Sequence, residues 1–403
     1  MAPRFRAEHI GSLIRPATIL DAQSLTGQGR KEKSATLDAA VRDVVKTQLT
    51  LGITPITNGE YPRRNFFSVI FDKLDGFEFQ DAPIPDGFRA EIPIIRGAAA
   101  TGMMSSMLSP VAVAPIRWVQ PAVGDEWAQI REALKDAAGG DDVDLQTLLG
   151  RAKITMPSPI VHHIRLKRGT AWTAGSGYKS DAVFFADLTA AYRQEIKSLY
   201  NAGCRYIQID DPDLLYFCDE SFLDALEKDG VSPDALLETY LKAHNDCLEN
   251  RPSDLTMAIH LCRGNLTDER FLTKGSYEKI APRLFNELQY DSFLLEYDTD
   301  KAGSFEPLRH LPVGKTIALG IVSTKDPELE DLNTLEEKVK AAAAIIAEAQ
   351  NLTIEEVLDN QLAVCPQCGF ASAEFNKAVG SEEKMWKKLC LLRDLTQRMW
   401  PVS

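Results

Sequence analysis

Residues 255–261 read LTMAIHL, a short apolar run whose last residue but one is a histidine and which is followed at once by Cys262. A run of this length and composition predicts a buried β-strand, and its surroundings predict the sheet it belongs to. The long helical segment Ser232–Asn250 leads into it. Before that come a helix over Asp187–Asn201, stopping near Gly203, and the strand Arg205–Ile209 (RYIQI), which ends at Asp210-Asp211-Pro212. Downstream the order repeats, with a helix over Ser276–Gln289, strands at Ser292–Glu296 (SFLLE) and Thr316–Val322, a helix over Thr334–Gln350 and a strand at Gln361–Val364. Thr334, with Glu337 three residues on, reads as a capping box opening that last helix.

Apolar strands separated by helices of this length imply a parallel sheet. At least five of them fit an α/β (β/α)8 TIM barrel better than a small open sheet. The rival, an open doubly wound sheet, lacks its usual glycine-rich phosphate loop after the first strand. One more strand is expected at Ile53–Ile56. Residues 77–150, rich in Pro, Gly and Met, break the alternation and are read as an insertion or cap beside the barrel mouth. The expectation is therefore a single catalytic barrel over residues 1–403.

Composition narrows the function. The chain has 403 residues, is 44% hydrophobic and 26% charged, and carries a net charge of −13 at pH 7. That balance argues against nucleic acid or an anionic membrane as partner. It leaves room for a small anionic ligand, because a local pocket can oppose the global sign. The first residues, MAPRFRAEHIGSLIRP, have no signal-peptide core, and no run is long and apolar enough to span a bilayer, so a soluble, cytoplasmic protein is expected. Seven scattered cysteines, an odd number, suggest reduced thiols or metal ligands rather than a disulfide framework.

In a parallel barrel the chemistry gathers where strands end, and the unusual polar residues here lie at those ends. Glu60 follows Ile53–Ile56, Asp210-Asp211 follow Arg205–Ile209, His260 and Cys262 close the next strand, Glu296 closes another, and Cys368 follows the last. On a strand, positions i and i+2 share a face, so His260 and Cys262 can point at one ion, and imidazole nitrogen with thiolate sulfur suits zinc. A buried histidine beside a small buried cysteine is the competing structural reading. Cys365-Pro366-Gln367-Cys368 lacks the second ligand pair of a zinc knuckle and the context of a redox site, which leaves one ligand supplied to a distant centre. Glu296 is costly to bury without a cation or donor, and an ion pair at the rim competes with a ligand role. Asp210-Asp211 fit either a helix cap or an ammonium partner.

Taken together, His9-Ile10-Gly11-Ser12, Asn58-Gly59-Glu60, Gln208-Ile209-Asp210-Asp211-Pro212, His260-Leu261-Cys262, Leu295-Glu296-Tyr297 and Pro366-Gln367-Cys368-Gly369 resemble the cobalamin-independent methionine synthase family, in its short members without the long N-terminal barrel. The segments run in family order from residue 9 to residue 369. The resemblance implies a zinc ion (Zn2+) held by His260, Cys262, Glu296 and Cys368. It implies a homocysteine carboxylate near the backbone of Ile10, Gly11 and Ser12, an ammonium against Glu60 and Asp210, and a folate-type methyl donor. Asp211 stands where the long enzymes have Glu, and Cys365 matches no ligand position.

The donor half departs from the family pattern. The loop after Thr316–Val322 reads Ser323-Thr324-Lys325-Asp326-Pro327 and lacks the family's proton-delivering His; Lys325 is the candidate substitute, against a plain solvated lysine. The pterin-stacking Trp has no counterpart in Pro157–His163, where His162 and His163 are either replacements or polar surface. A methyltransferase making methionine from homocysteine is the leading expectation. A zinc thiol-alkyltransferase using another donor, such as methylcobalamin, or another thiol is the second, and a non-catalytic zinc-binding barrel the third. The sequence is silent on oligomeric state.

Overall fold

In the computed structural model, which describes residues 2–24, 30–67, 69–83, 86–89, 91–92, 95, 106–139, 142–264, 273–373 and 378–401, the chain builds two sheets. An antiparallel pair, β1 (Leu74–Pro83) and β2 (Ser106–Trp118), stands apart from six parallel strands in sequential order: β3 (Ile154–Pro157), β4 (Tyr206–Asp210), β5 (Thr256–Leu261), β6 (Ser292–Glu296), β7 (Thr316–Val322) and β8 (Leu362–Pro366). Two further segments extend both edges. Ala7 bridges in parallel to Val364 on β8, and Ile56 bridges in parallel to Ala152 just before β3. These two segments meet each other through Thr57 Oγ1, which donates to the Gly11 carbonyl at 2.9 Å, and Leu13 N–H, which donates to the Gly59 carbonyl at 3.0 Å. Eight parallel positions thus close the (β/α)8 barrel.

Strand parity sorts the side chains. Ile207, Ile209, Met257, Ile259, Phe293, Leu295, Ile317 and Leu319 face the helices in the larger core, whereas Tyr206, Ala258, Leu294, Ala318, Ala363 and Cys365 form a separate cluster inside the barrel. Each fully buried large apolar side chain of the outer layer stabilises the fold by about 1.5–3 kcal/mol. The inner layer is small, which leaves room for polar groups. Lys153 and Glu8 pair there at 3.0 Å, Tyr206 donates to Glu8 at 2.6 Å, and Lys153 also donates to Gln208 Oε1 at 2.5 Å. Desolvation makes such a pair a poor source of net stability, yet removing one partner would strand the other, at about 3–5 kcal/mol.

Helix boundaries follow local chemistry. Ser180, Ser232 and Ser381 cap the helices Asp181–Asn201, Pro233–Cys247 and Glu382–Met399 through their side chains. The helix expected from Thr334 begins two residues earlier, at Leu332, because the Asp331 carboxylate accepts the Thr334 N–H. The capping box is instead at Thr353 and Glu356, opening Ile354–Gln361. Strand β3 was not foreseen; it is four residues long and runs straight into Ser158-Pro159, too short for a periodicity to register.

The 77–150 stretch holds two kinds of structure. The β1–β2 ribbon packs along helix Asp181–Asn201, whose Glu195 accepts from Trp118 Nε1 at 2.7 Å and from the N–H of Ala122 and Val123 at 2.9 Å. Helix Gly124–Ala137, with buried Trp127, Ile130 and Leu134, lies on helix Arg30–Leu51 in the outer layer of the barrel.

Candidate metal centre

The inward positions of β5 carry Ala258 and His260, with Cys262 following two residues on, and this parity puts imidazole and thiol on one side. His260 Nδ1 lies 3.2 Å from the Leu294 carbonyl of β6, which holds Nδ1 as the N–H donor and leaves Nε2 with its lone pair. Nε2 is buried and has no hydrogen-bond partner among the described residues. Cys368, from the turn after β8, brings its Sγ to 3.5 Å from Cys262 Sγ. One ligand atom from each of His260, Cys262 and Cys368 lies within 4.8 Å of the others, and all three residues are buried. The bond to Cys368, then burial, pushes the Cys262 thiol well above its ordinary pKa. Two buried thiols beside an orphaned imidazole nitrogen form a soft, electron-rich donor set that suits a thiophilic divalent cation, which would reverse that thiol shift.

Glu296 falls outside this triad. It closes β6 and is buried, but its Oε2 accepts from the Arg263 backbone N–H at 2.7 Å. Cys365 is sealed inside the barrel, its thiol against the Ala318 carbonyl at 3.5 Å, and burial pushes its pKa well up.

The triad forms one wall of a cavity of about 280 Å³, whose other described lining residues include Ile10, Ser12, Glu60, Phe66, Phe67, Arg165 and Asp210. Glu60 has a φ of 58°, in the left-handed region that costs a side-chain-bearing residue energy. It is held there by Thr155, whose hydroxyl donates to Oε1 at 2.7 Å, with Arg63 3.5 Å away. Arg63 in turn grips Glu126 at 2.9 Å. Asp210 is level with His260 across the β4–β5 pair and accepts from Gln208 Nε2 at 2.6 Å; burial first, then the charge of Glu60, raises it to about 7. Gly11 is required where it stands. With φ +131°, a Cβ there would meet Thr155 Cγ2 at 2.7 Å and Glu60 Oε1 at 3.0 Å.

Other expected residues lie elsewhere. Asp211 points away from the cavity: its Oδ1 accepts from the N–H of Asp213 and Leu214, and its Oδ2 from Ser158 at 2.6 Å and His244 at 2.7 Å. It is the cap, and Asp210 is the cavity carboxylate. Lys325 is not on the described lining, and its Nζ donates to the carbonyl of Gly264, which is, at 2.9 Å. His162 stacks edge-on against Phe71 and Phe67, at 4.6 and 5.7 Å. His163 is buried between Tyr240 OH at 2.9 Å and Asp181 at 3.2 Å, so it is not polar surface. Sequence reasoning missed Phe66, Phe67 and Arg165. Arg165 pairs with Asp213 at 3.1 Å and lies 5.1 Å from the Phe67 ring, and none of the three follows a strand pattern that would announce it.

Comparison with known proteins agrees with this architecture. YxjG of Bacillus subtilis (strain 168), itself uncharacterised, is 30% identical over 99% of this chain and 95% of its own length. A methionine synthase of Saccharolobus solfataricus is 22% identical over 80% of this chain and 78% of its own. Among solved structures, a Listeria monocytogenes protein described as a vitamin-B12-independent methionine synthase superposes with a TM-score of 0.68 and 25% identity, covering 100% of this chain and 99% of that one. Residues 170–388, which include β4 to β8 and all three members of the triad, match the family described as the catalytic domain of cobalamin-independent synthase. The chain belongs to the cobalamin-independent synthase family.

Proposed function

We propose that this chain is a zinc-dependent methyltransferase that moves a methyl group onto the thiol of homocysteine, with a methyltetrahydrofolate or its polyglutamate as donor. The observation that carries the reading is the buried, unpartnered Nε2 of His260 facing the Cys262 and Cys368 thiols. These three residues would hold the ion. Glu296 is the fourth candidate, once its carboxylate leaves the Arg263 N–H. Bound zinc would supply what the thiol lacks at neutral pH, removal of its proton from a group with an ordinary pKa of about 8.5.

The protein's own residues do the rest. Asp210 and Glu60 offer carboxylate oxygens to the substrate ammonium across the cavity, and the positive-φ turn at Gly11 lets the backbone of Ile10–Ser12 come close to the substrate carboxylate. Phe66 and Phe67 exclude water on the far side, so the thiolate is poorly solvated and more nucleophilic. The sulfur gains the methyl group, and the departing donor nitrogen keeps the electron pair and needs a proton. Lys325 is the candidate donor, on condition that its Nζ is freed from the Gly264 carbonyl.

A second reading, a thiol methyltransferase using a different donor, is favoured by the 323–327 loop, which contains no His. Methyl transfer to homocysteine from methyltetrahydrofolate, its triglutamate and methylcobalamin, each with zinc, separates the two. Turnover with a folate is expected, and turnover only with another donor would replace the first reading by the second. X-ray absorption with and without homocysteine tests the ligand set, since exchange of an oxygen for a sulfur neighbour is expected and an unchanged shell refutes the role given to Glu296.

A further inference from the structure

We infer that a second pocket, on the outside of the barrel between the helices Asp181–Asn201 and Pro233–Cys247, is a binding site for a small oxyanion, a phosphate or carboxylate group. The pocket has a volume of about 280 Å³ and is lined by Arg89, His163, Arg168, Asp181, Ser232 and Thr239 among others. None of these residues lines the methyl-transfer cavity.

The argument starts from Arg89. It is 3% exposed, and its Nε and Nη1 are buried with no hydrogen-bond partner among the described residues. Its backbone is fixed, since Arg89 N–H donates to the Arg165 carbonyl at 2.9 Å and Phe88 bridges to Leu166. A guanidinium with two of its three nitrogens desolvated and without a hydrogen-bond partner is among the costlier arrangements a fold can keep. The planar donor fork of arginine matches carboxylate and phosphate oxygens.

The one carboxylate on the lining does not relieve it. Asp181 accepts from His163 Nε2 at 3.2 Å, and that bond is the first cause of its lowered pKa, ahead of the charges of Arg168 and Arg89. His163 is saturated, because Tyr240 OH lies 2.9 Å from its Nδ1. Two guanidinium groups therefore face one carboxylate, a local positive balance in a chain of net charge −13. The start of helix Pro233–Cys247 is not the basis of the site, since Ser232 Oγ already caps the Ala235 N–H at 3.3 Å. Arg168, exposed at the rim, is the second cationic donor beside Arg89, whereas the Thr239 hydroxyl on the lining already donates to the Ala235 carbonyl at 2.8 Å.

The test is calorimetric titration of the full purified chain with inorganic phosphate and, separately, with glutarate, at ionic strength held constant with chloride. One site is expected for at least one probe, weakened about tenfold or more by Arg89→Gln and about threefold by Arg168→Gln. Binding of phosphate alone identifies a phosphate-bearing ligand, and binding of glutarate identifies a carboxylate. Thermal melting gives the second readout, with Arg89→Met in reserve where the glutamine variant folds poorly. The wild type should gain stability from the bound probe and the variant should not, while in chloride the variant melts no lower than the wild type. Absence of binding by both probes, equal affinity in Arg89→Gln, or variants destabilised in chloride would overturn the proposal.

Discussion

Two buried polar clusters flank strand β4, and both contain a histidine. On the inner side, His260, Cys262 and Cys368 leave Nε2 without a partner and set two thiols 3.5 Å apart. On the outer side, Ser158, Asp211, His244 and Tyr290 form a closed chain. Ser158 and His244 share Asp211 Oδ2, and His244 Nδ1 lies 2.8 Å from Tyr290 OH. Burial and the presence of a histidine do not separate the two. Saturation does: the outer cluster satisfies itself and holds the β4 turn against helix Pro233–Cys247, whereas the inner one is incomplete without a ligand.

That contrast can be broken experimentally. The largest effect is expected from Cys368→Ala, which should lower zinc from about one per chain to under a tenth while the far-ultraviolet spectrum persists, because the barrel core does not depend on the metal. Metal analysis showing full zinc in that variant would refute the ligand assignment. Next, His244→Ala should lower stability by about 3 kcal/mol in urea denaturation, since it strands the buried Tyr290 hydroxyl, takes one bond from Asp211 and leaves a cavity, yet should leave zinc content unchanged. Loss of metal with stability intact would mean that the outer cluster is part of the site after all. Asp210→Asn should retain zinc and raise KM for homocysteine roughly tenfold to a hundredfold, the cost of one charged hydrogen bond to the ammonium, about 1.5–3 kcal/mol. An unchanged KM would remove Asp210 from the substrate site.

The smallest effect concerns Asp213, next to the outer cluster. Burial raises its pKa to about 6, against the opposing pull of Arg165. A carboxyl group with a raised folded-state pKa contributes stability that is present below its unfolded value, near 4, and is lost as pH rises through about 6. Relative to Asp213→Asn, the wild type should therefore lose about 2 kcal/mol between pH 4 and pH 6. Parallel stability curves for the two proteins would show that its neighbours fully compensate the charge.

Much of this was legible beforehand because strand parity is a local property. The His260-Leu261-Cys262 spacing puts both donors on one face whatever the rest of the chain does, and the strands at 256–261, 292–296 and 316–322 lie where their apolar runs predict. The same local rule is blind to neighbours. Asp210 and Asp211 are adjacent carboxylates in the sequence, and only the packing of His244 and Ser158 against one and of Gln208 against the other separates cap from cavity. Phe66 and Phe67 come from a turn without periodicity, and their place in the cavity wall depends on chain paths that no window of residues contains.

The sequence by itself determined the parallel barrel and the residue types able to grip a soft cation, because both follow from short-range periodicity and donor chemistry. Tertiary structure alone decided which groups are left unsatisfied. The bond from the Arg263 N–H to Glu296, the bare Nε2 of His260 and the bare Nε and Nη1 of Arg89 all depend on residues far apart in the chain. Hydrogen-bond saturation is settled by who arrives next to whom, and that is fixed only when the strands and helices have closed around them.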